Sequence, residues 1–126
     1  MKKILIVIGD YYGDISSSLL KSAKNNLNNF SLKIIRVPGV FEIPVTISKN
    51  IKKYDAFLAL GCVIKGETPH FDFISSASTQ AIMDISVASK KPIGNGIITC
   101  HNKKQARVRA DKGKEAAKAV ASVLSQ

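Results

Sequence analysis

The sequence around His70 combines an imidazole with features of an anion-binding helix end. The stretch that contains it reads LGCVIKGETPHFDFI. Thr68 is a residue type favoured at a helix N-cap, and Pro69 is favoured at the first helical position. The free backbone N–H groups and positive dipole at such a helix start are suited to phosphate. An imidazole on the first helical turn can transfer protons beside the bound anion. The pattern therefore predicts a catalytic site that contains His70.

Each candidate also has a structural explanation. His70 could be an ordinary residue at a helix start, and Glu42 could simply complement the dipole of its own helix. Cys62 upstream of His70 could suggest a thiol nucleophile, but a cysteine among Leu, Val and Ile in a strand is more typical of packing. His101 beside Cys100 lacks further ligands at metal spacing, so the sequence predicts no metal site.

Two arginines and two tyrosines are further candidates. Arg107 and Arg109 are two of only three arginines in a lysine-rich chain. The planar guanidinium group suits phosphate, so we expect at least one of them to bind it. Tyr11 and Tyr12 follow the first predicted strand and could be either core or rim aromatics. No GxGxxG pattern is present, which argues against a dinucleotide fingerprint.

Composition limits the function classes. The chain has 126 residues, of which 45% are hydrophobic, enough for one domain over residues 1–126 with a single core. Its net charge of +10 raises nucleic acid as a partner. The lysines are scattered, however, and aromatic residues are not interleaved with them. An anionic substrate or a solvated lysine surface explains the charge better, so we expect no nucleic acid partner.

Membrane and export signals are missing from the pattern. No apolar run approaches the length of a membrane span, and the start MKKILIVIGD reads as a strand rather than a signal peptide. Cys62 and Cys100 sit at the ends of apolar strands and are interpreted as buried free thiols. These observations predict a cytoplasmic protein without a membrane partner.

The elements that must position these residues alternate along the chain. Short apolar runs predict four strands, at Ile4–Ile8, Leu32–Val37, Tyr54–Leu60 (bounded by Gly61) and Pro92–Thr99. Amphipathic spacing predicts four helices, the first capped by Asp14, the second from Pro44 to about Asn50, the third from Pro69 to about Ala88 and the last over Glu115–Leu124.

This alternation predicts an α/β fold with right-handed βαβ units. We expect a three-layer α/β/α sandwich with a four-stranded parallel sheet in the flavodoxin-like order 2-1-3-4. In such sheets, ligands bind outside the carboxyl ends of the strands. Those ends carry aromatic, carboxylate, anion-binding and imidazole groups, over residues 11–12, 38–42, 63–70 and 99–102. The site is therefore expected at this edge.

Four motifs together resemble the lumazine synthase family, whose members catalyse the penultimate step of riboflavin biosynthesis. They occur in family order and cover nearly the whole chain. The second is long and specific. The motifs are VPGVFEIP (37–44), GCVIKGETPHFDF (61–73), PIGNGIIT (92–99) and DKGKEAA (111–117).

The resemblance implies a transferase reaction. In it, 5-amino-6-ribitylaminouracil condenses with 3,4-dihydroxy-2-butanone 4-phosphate to give 6,7-dimethyl-8-ribityllumazine, phosphate and water. It implies small-molecule substrates and no metal or organic cofactor. A non-catalytic flavin-binding module would use the same loops and remains the alternative. A phosphoacceptor receiver domain is rejected, because the third strand ends in Gly61 and Cys62 rather than an aspartate.

The resemblance also assigns roles to individual residues. His70 matches the proton-transfer residue. The phosphate-binding positions are Glu67 and Thr68, through backbone N–H groups, and Arg109. The positions assigned to the pyrimidine and ribityl chain are Tyr11, Phe41, Glu42, Val63, Ile64, Asn95 and Lys112.

The family pattern places this site between adjacent subunits of a ring of five. We therefore expect a homo-oligomer, a closed pentamer, with a larger shell as the alternative. Three positions depart from the pattern: Tyr12 replaces the usual asparagine, Lys65 an arginine, and Asn95 a frequent phenylalanine. The loop of Ala110 and Asp111 is also shorter than usual.

Overall fold

The computed structural model describes residues 1–67 and 70–126. The strands in this part of the chain are β1 (Lys3–Gly9), β2 (Ser31–Val37), β3 (Ala56–Ile64) and β4 (Ile93–Cys100). The helices are α1 (Gly13–Lys24), α2 (Ile43–Lys49), α3 (Phe71–Ser89), α4 (Lys103–Val108) and α5 (Lys112–Leu124). Two short 3₁₀ turns, at Val40–Glu42 and Arg109–Asp111, precede α2 and α5.

The four strands form one parallel sheet in the order β2-β1-β3-β4, which confirms the predicted topology. The two central strands are the most apolar. Every residue of β3 is buried, as is every residue of β1 after Lys3. Strands covered on both faces have continuous apolar runs of this kind, which is why their sequences do not alternate.

Helices cover both faces of the sheet. On one face, α1, α4 and α5 pack against a core that includes Ile6, Leu58 and Leu60. On the other, α2 and α3 pack against Leu5, Val7 and Phe57 and their neighbours. The three-layer α/β/α arrangement is therefore the one predicted.

The third strand is longer than expected. It runs through Gly61 to Ile64, whereas Gly61 was interpreted as its boundary. A Cβ at Gly61 would lie 2.7 Å from Cγ2 of Val40. Gly61 therefore permits close packing of the turn after β2, and it does not mark the end of the strand.

Two helix starts also differ from the prediction. His70 was expected on the first turn of the third helix, but α3 begins at Phe71 and His70 is the residue before it, with φ +62°. The predicted cap at Thr68 and first position at Pro69 lie outside the described residues. Asp14 lies in the first turn of α1, and the capping position is Tyr12, whose side chain makes no capping hydrogen bond.

One helix was not predicted, whereas the state of the two cysteines was. Helix α4 was not predicted, and it begins where the Asn102 side chain accepts a 2.9 Å hydrogen bond from the backbone N–H of Gln105. Cys62 and Cys100 are buried free thiols, as predicted. In the part of the chain that the structure describes, no helix is long and apolar enough to cross a membrane.

Candidate functional site

A cavity of about 200 Å³ lies at the carboxyl ends of β2 and β3. This is the edge of the sheet at which the topology predicts a ligand site. It brings together five of the predicted site residues, Tyr11, Phe41, Glu42, Val63 and Glu67. The described residues that line it are Tyr11, Gly39, Val40, Phe41, Glu42, Cys62, Val63, Glu67 and Ile74.

One wall of the cavity is the 3₁₀ turn after β2. A Cβ at Gly9 would lie 2.9 Å from the backbone carbon of Gly39, so the end of β1 packs directly against this turn. The turn leaves 56% of Phe41 exposed and Glu42 half-buried. The end of the turn is held by Thr46, whose hydroxyl donates a 2.8 Å hydrogen bond to the carbonyl of Glu42. An aromatic face beside a carboxylate can contact a hydroxylated chain and accept its hydrogen bonds.

Tyr11 also lines the cavity, and Tyr12 packs against its ring. Their rings meet edge to face, with centroids 4.8 Å apart and planes inclined by 77°. Tyr12 is buried, whereas 68% of Tyr11 is exposed. The Lys103 ammonium lies 5.9 Å from the Tyr12 ring centroid, within cation–π range. Tyr12, at the position where the family has an asparagine, therefore supports the aromatic ring that is open to a ligand.

The end of β3 forms the floor. Cys62 and Val63 line the cavity, but Ile64 is fully buried and contributes no lining surface. Burial, followed by the neighbouring Cys100 thiol, raises the pKa of Cys62 to about 12. A thiol with such a pKa stays protonated near neutral pH, which argues against a thiolate nucleophile here.

The loop after β3 turns at Gly66, whose φ is +86°, a conformation that favours glycine. The backbone N–H of Lys65 donates to the carbonyl of Cys100 at 2.8 Å, and that of Glu67 donates to the carbonyl of Ile64 at 3.3 Å. The loop is thereby attached to the ends of β3 and β4. Thr68, the other predicted phosphate-binding residue of this loop, lies outside the described residues.

His70 is exposed and follows this loop directly. Its carbonyl accepts a 2.9 Å hydrogen bond from the N–H of Ile74, which does line the cavity. Among the described lining residues, however, His70 itself is absent. His70 is therefore close in sequence to the lining residues Glu67 and Ile74, but it is not itself one of the described lining residues.

Arg109 and Lys112 lie elsewhere, beside a second surface hollow of about 460 Å³. Arg109 Nη1 donates a 3.0 Å hydrogen bond to the carbonyl of Thr99 and lies 4.0 Å from Sγ of Cys100. The Lys112 ammonium is 3.2 Å from a carboxylate oxygen of Glu115. We call this the basic hollow; its described lining residues are Arg109, Asp111, Lys112, Lys114, Glu115 and Lys118. None of these also lines the cavity.

The remaining candidates have structural partners. Arg107, the alternative to Arg109, forms an exposed 3.3 Å ion pair with Asp14. Asn95 lies in β4, where its side-chain oxygen accepts a 3.0 Å hydrogen bond from the N–H of Ile97. Within the described residues, no group of three or more His, Cys, Asp or Glu side chains is placed to hold a metal ion.

Some lining residues were not among the predicted site residues. Gly39 and Val40 belong to the VPGVFEIP motif, but no role was assigned to them. Cys62 was interpreted as a packing residue and Ile74 as an apolar helix position. A signal existed for the first pair, since both precede the two predicted ribityl-binding residues directly.

The parallel sheet and its carboxyl-end cavity define a doubly wound α/β protein of the kind that binds ligands at strand ends. A solved structure with this fold is the 1.60 Å crystal structure of a 3-dehydroquinate dehydratase-like protein from Bifidobacterium longum. It superposes with a TM-score of 0.53 over 100% of both chains at 14% sequence identity, a likeness that shows the fold alone.

The sequence comparison is more specific. The family model for 6,7-dimethyl-8-ribityllumazine synthase matches residues 1–126, so the chain belongs to this family. The synthase of Cutibacterium acnes is 40% identical over 98% of this chain and 80% of the relative. Synthase 1 of Rhodopseudomonas palustris is 42% identical, covering 97% and 83%. The synthase of Agrobacterium fabrum is 42% identical, covering 96% and 91%. The resemblance seen in the motifs is therefore confirmed.

Proposed function

We propose that this chain is a transferase that condenses 5-amino-6-ribitylaminouracil with 3,4-dihydroxy-2-butanone 4-phosphate. The products are 6,7-dimethyl-8-ribityllumazine, phosphate and water. The observation that carries the proposal is the cavity, in which Tyr11, Phe41, Glu42 and Val63 meet in a chain of this family. An exposed aromatic ring, an apolar floor and a carboxylate suit a flat heterocycle with a hydroxylated side chain.

In this proposal the cavity holds the pyrimidine substrate. The Tyr11 ring stacks on the heterocycle, while Phe41 packs on the ribityl chain and Glu42 accepts hydrogen bonds from its hydroxyl groups. The backbone of Val63 and Ile64 reads the polar edge of the pyrimidine. The half-buried carboxylate of Glu42 supports this arrangement, because charge-assisted hydrogen bonds are stronger than neutral ones.

The phosphorylated ketone is assigned to the loop after β3 and to a guanidinium group. Arg109 and the backbone N–H groups of Glu67 and Thr68 bind the phosphate, for which the Glu67 N–H must exchange its 3.3 Å contact with the Ile64 carbonyl for the phosphate, and Lys112 lies near the pyrimidine. The amine attacks the ketone and one water leaves to give an imine, phosphate is eliminated, an enol forms and becomes a ketone, and the second ring closes with loss of a second water. These steps need proton shuttling, which we assign to His70. Holding the two substrates face to face supplies much of the acceleration, and the anion site stabilises departing phosphate.

We further propose a homopentamer in which each site is shared between neighbours. Within one chain the cavity and the basic hollow have separate walls among the described residues, yet the reaction needs both. Helix α3 also leaves large apolar side chains exposed, at Phe73, Met83 and Val87. A ring joins the front of one subunit to the back of the next, so a cavity can meet a neighbour's hollow.

The same proposal places the protein in the cytoplasm. Its support is the pair of free, buried thiols at Cys62 and Cys100, because reduced cysteines are usual in reducing compartments.

The test is to mix purified protein with both substrates and to follow the fluorescence of the lumazine product. Product that forms faster than in the protein-free mixture supports the proposal. Each substrate alone with the protein serves as the control. A yellow, fluorescent protein that binds flavin but gives no turnover would contradict it and favour a binding module.

A further inference from the structure

Helix α1 contacts the turn that presents Arg109, although 88 positions separate the contacting residues. The Ser22 hydroxyl lies 3.1 Å from the carbonyl oxygen of Ala110 and also 3.1 Å from that of Leu19, within its own helix. Ser22 is partly buried. The two carbonyls share its single hydroxyl proton, and the contact with Ala110 links the first helix to the residue that follows Arg109.

The backbone of α5 reinforces this link. A Cβ at Gly113 would overlap the Leu19 carbonyl oxygen and lie 2.6 Å from Oγ of Ser22. The start of α5 thus lies directly against the backbone of α1. The turn between α4 and α5 is confined on one side by this contact and on the other by the hydrogen bond of Arg109 to the Thr99 carbonyl.

We propose that Ser22 is a positioning residue for Arg109, whose hydroxyl holds the Ala110 carbonyl and so fixes the guanidinium that binds the phosphorylated substrate. This inference rests on the proposed function. Without the hydroxyl, the Ala110 carbonyl turns towards water and the turn gains freedom. Binding of the phosphate must then order it again, which weakens binding.

The expected effect is selective. Ser22→Ala removes one hydrogen bond, which corresponds to roughly a 2- to 10-fold rise in KM for the phosphorylated ketone. Inorganic phosphate, used as an inhibitor, should lose affinity by a similar factor. The kcat and the KM for the pyrimidine should change far less, because the cavity is built from other elements and only Lys112 of the residues assigned to the pyrimidine adjoins this turn.

The matched control lies one turn earlier on the same helix. The Ser18 hydroxyl donates to the carbonyl of Asp14 at 3.2 Å, so Ser18→Ala removes a hydroxyl whose bond lies within its own helix. A thermodynamic cycle with Arg109→Ala supplies a second readout. If Ser22 acts through Arg109, Ser22→Ala should change KM little once the guanidinium is gone.

Each possible result either supports or overturns the inference. A selective KM rise in Ser22→Ala that is absent from Ser18→Ala, and lost in the Arg109→Ala background, supports the inference. An unchanged KM, or equal changes in both KM values together with a lower melting temperature, overturns it and leaves the proposed function intact. A wild-type protein that forms no lumazine overturns the proposed function itself.

Discussion

The cavity and the basic hollow are built in different ways. Close packing at two glycines supports the cavity walls, with Gly9 against the backbone of Gly39 and Gly61 against the Val40 side chain, and most of the lining side chains are apolar. The basic hollow lies on a short turn between two helices, and four of its six described lining residues are cationic. The cavity is therefore an extension of the core, whereas the hollow depends on a few hydrogen bonds at the surface.

This difference matches two unlike ligand chemistries. A heterocycle with a hydroxylated chain is best held by a rigid, mostly apolar wall with a few polar groups. A phosphate is best held by cations and free N–H groups. Separating the two within one chain allows each to be built without weakening the other, and our proposal has the neighbouring subunit reunite them.

The largest effect is expected from His70, which is among the described lining residues of neither region. His70→Ala should lower kcat by about 10²- to 10⁴-fold, because it removes proton transfer and leaves substrate positioning intact. Steady-state rates with both substrates saturating measure this. The exposed His101 provides the control, since His101→Ala should leave the rate near that of the wild type. An unchanged rate in His70→Ala would remove this residue from the mechanism.

The next effect tests the basic hollow. Arg109→Ala should raise KM for the phosphorylated ketone by roughly 10- to 100-fold, as expected for loss of a hydrogen bond to a charged group. The KM for the pyrimidine should change far less. Arg107→Ala is the matched control, because Arg107 forms an exposed ion pair with Asp14, a kind of contact that contributes little to stability. The reverse pattern, with Arg107 as the sensitive residue, would show that the assignment of the two arginines is wrong.

A smaller effect tests the cavity. Glu42→Gln should raise KM for the pyrimidine by about 10-fold, because the neutral amide accepts weaker hydrogen bonds from the ribityl hydroxyls. The KM for the phosphorylated ketone should fall or stay constant. Asp84→Asn, on the exposed side of α3, removes a carboxylate away from the cavity and serves as the control. A selective effect on the phosphorylated ketone would contradict the proposed division of the two regions.

The two regions also differ in how far the sequence predicts them. The sheet follows from apolar runs such as Ile4–Ile8, because strands buried on both faces leave a continuous signal. The cavity follows from strand ends that topology brings to one edge. The basic hollow cannot be predicted from the sequence in this way. The contact of Ser22 with Ala110 joins residues 88 positions apart, and such a contact leaves no local sequence pattern.

Local signals failed where tertiary contacts decided the structure. Gly61 resembles a strand terminator, yet it lies within β3. A glycine is needed there because the Val40 side chain occupies the space that a Cβ would take. His70 was expected to be helical, but its backbone is left-handed and α3 begins one residue later. In both cases the residue type permits several conformations, and the neighbouring elements select one.

The last prediction asks whether the two regions act together across a subunit contact. Glu42→Ala impairs the cavity and Arg109→Ala impairs the hollow, so each variant alone should be slow at low substrate concentration. If each site combines one chain's cavity with its neighbour's hollow, dissociating and reassembling an equal mixture leaves about a quarter of the contacts with both halves intact, given random placement around a closed ring. Activity should then recover to about a quarter of the wild-type value.

The control is the same mixture without dissociation, which should show only the mean of the two variants. Sedimentation of differently tagged chains checks that mixed oligomers have formed. Confirmed mixed oligomers that also show only the mean would mean that each site lies within one chain. The guanidinium would then have to reach the cavity from its own Thr99 contact, by a rearrangement of the turn that the Ser22 hydroxyl restrains. In that case Ser22→Ala should lower KM for the phosphorylated ketone rather than raise it, so the two experiments together distinguish a shared site from a rearranging one.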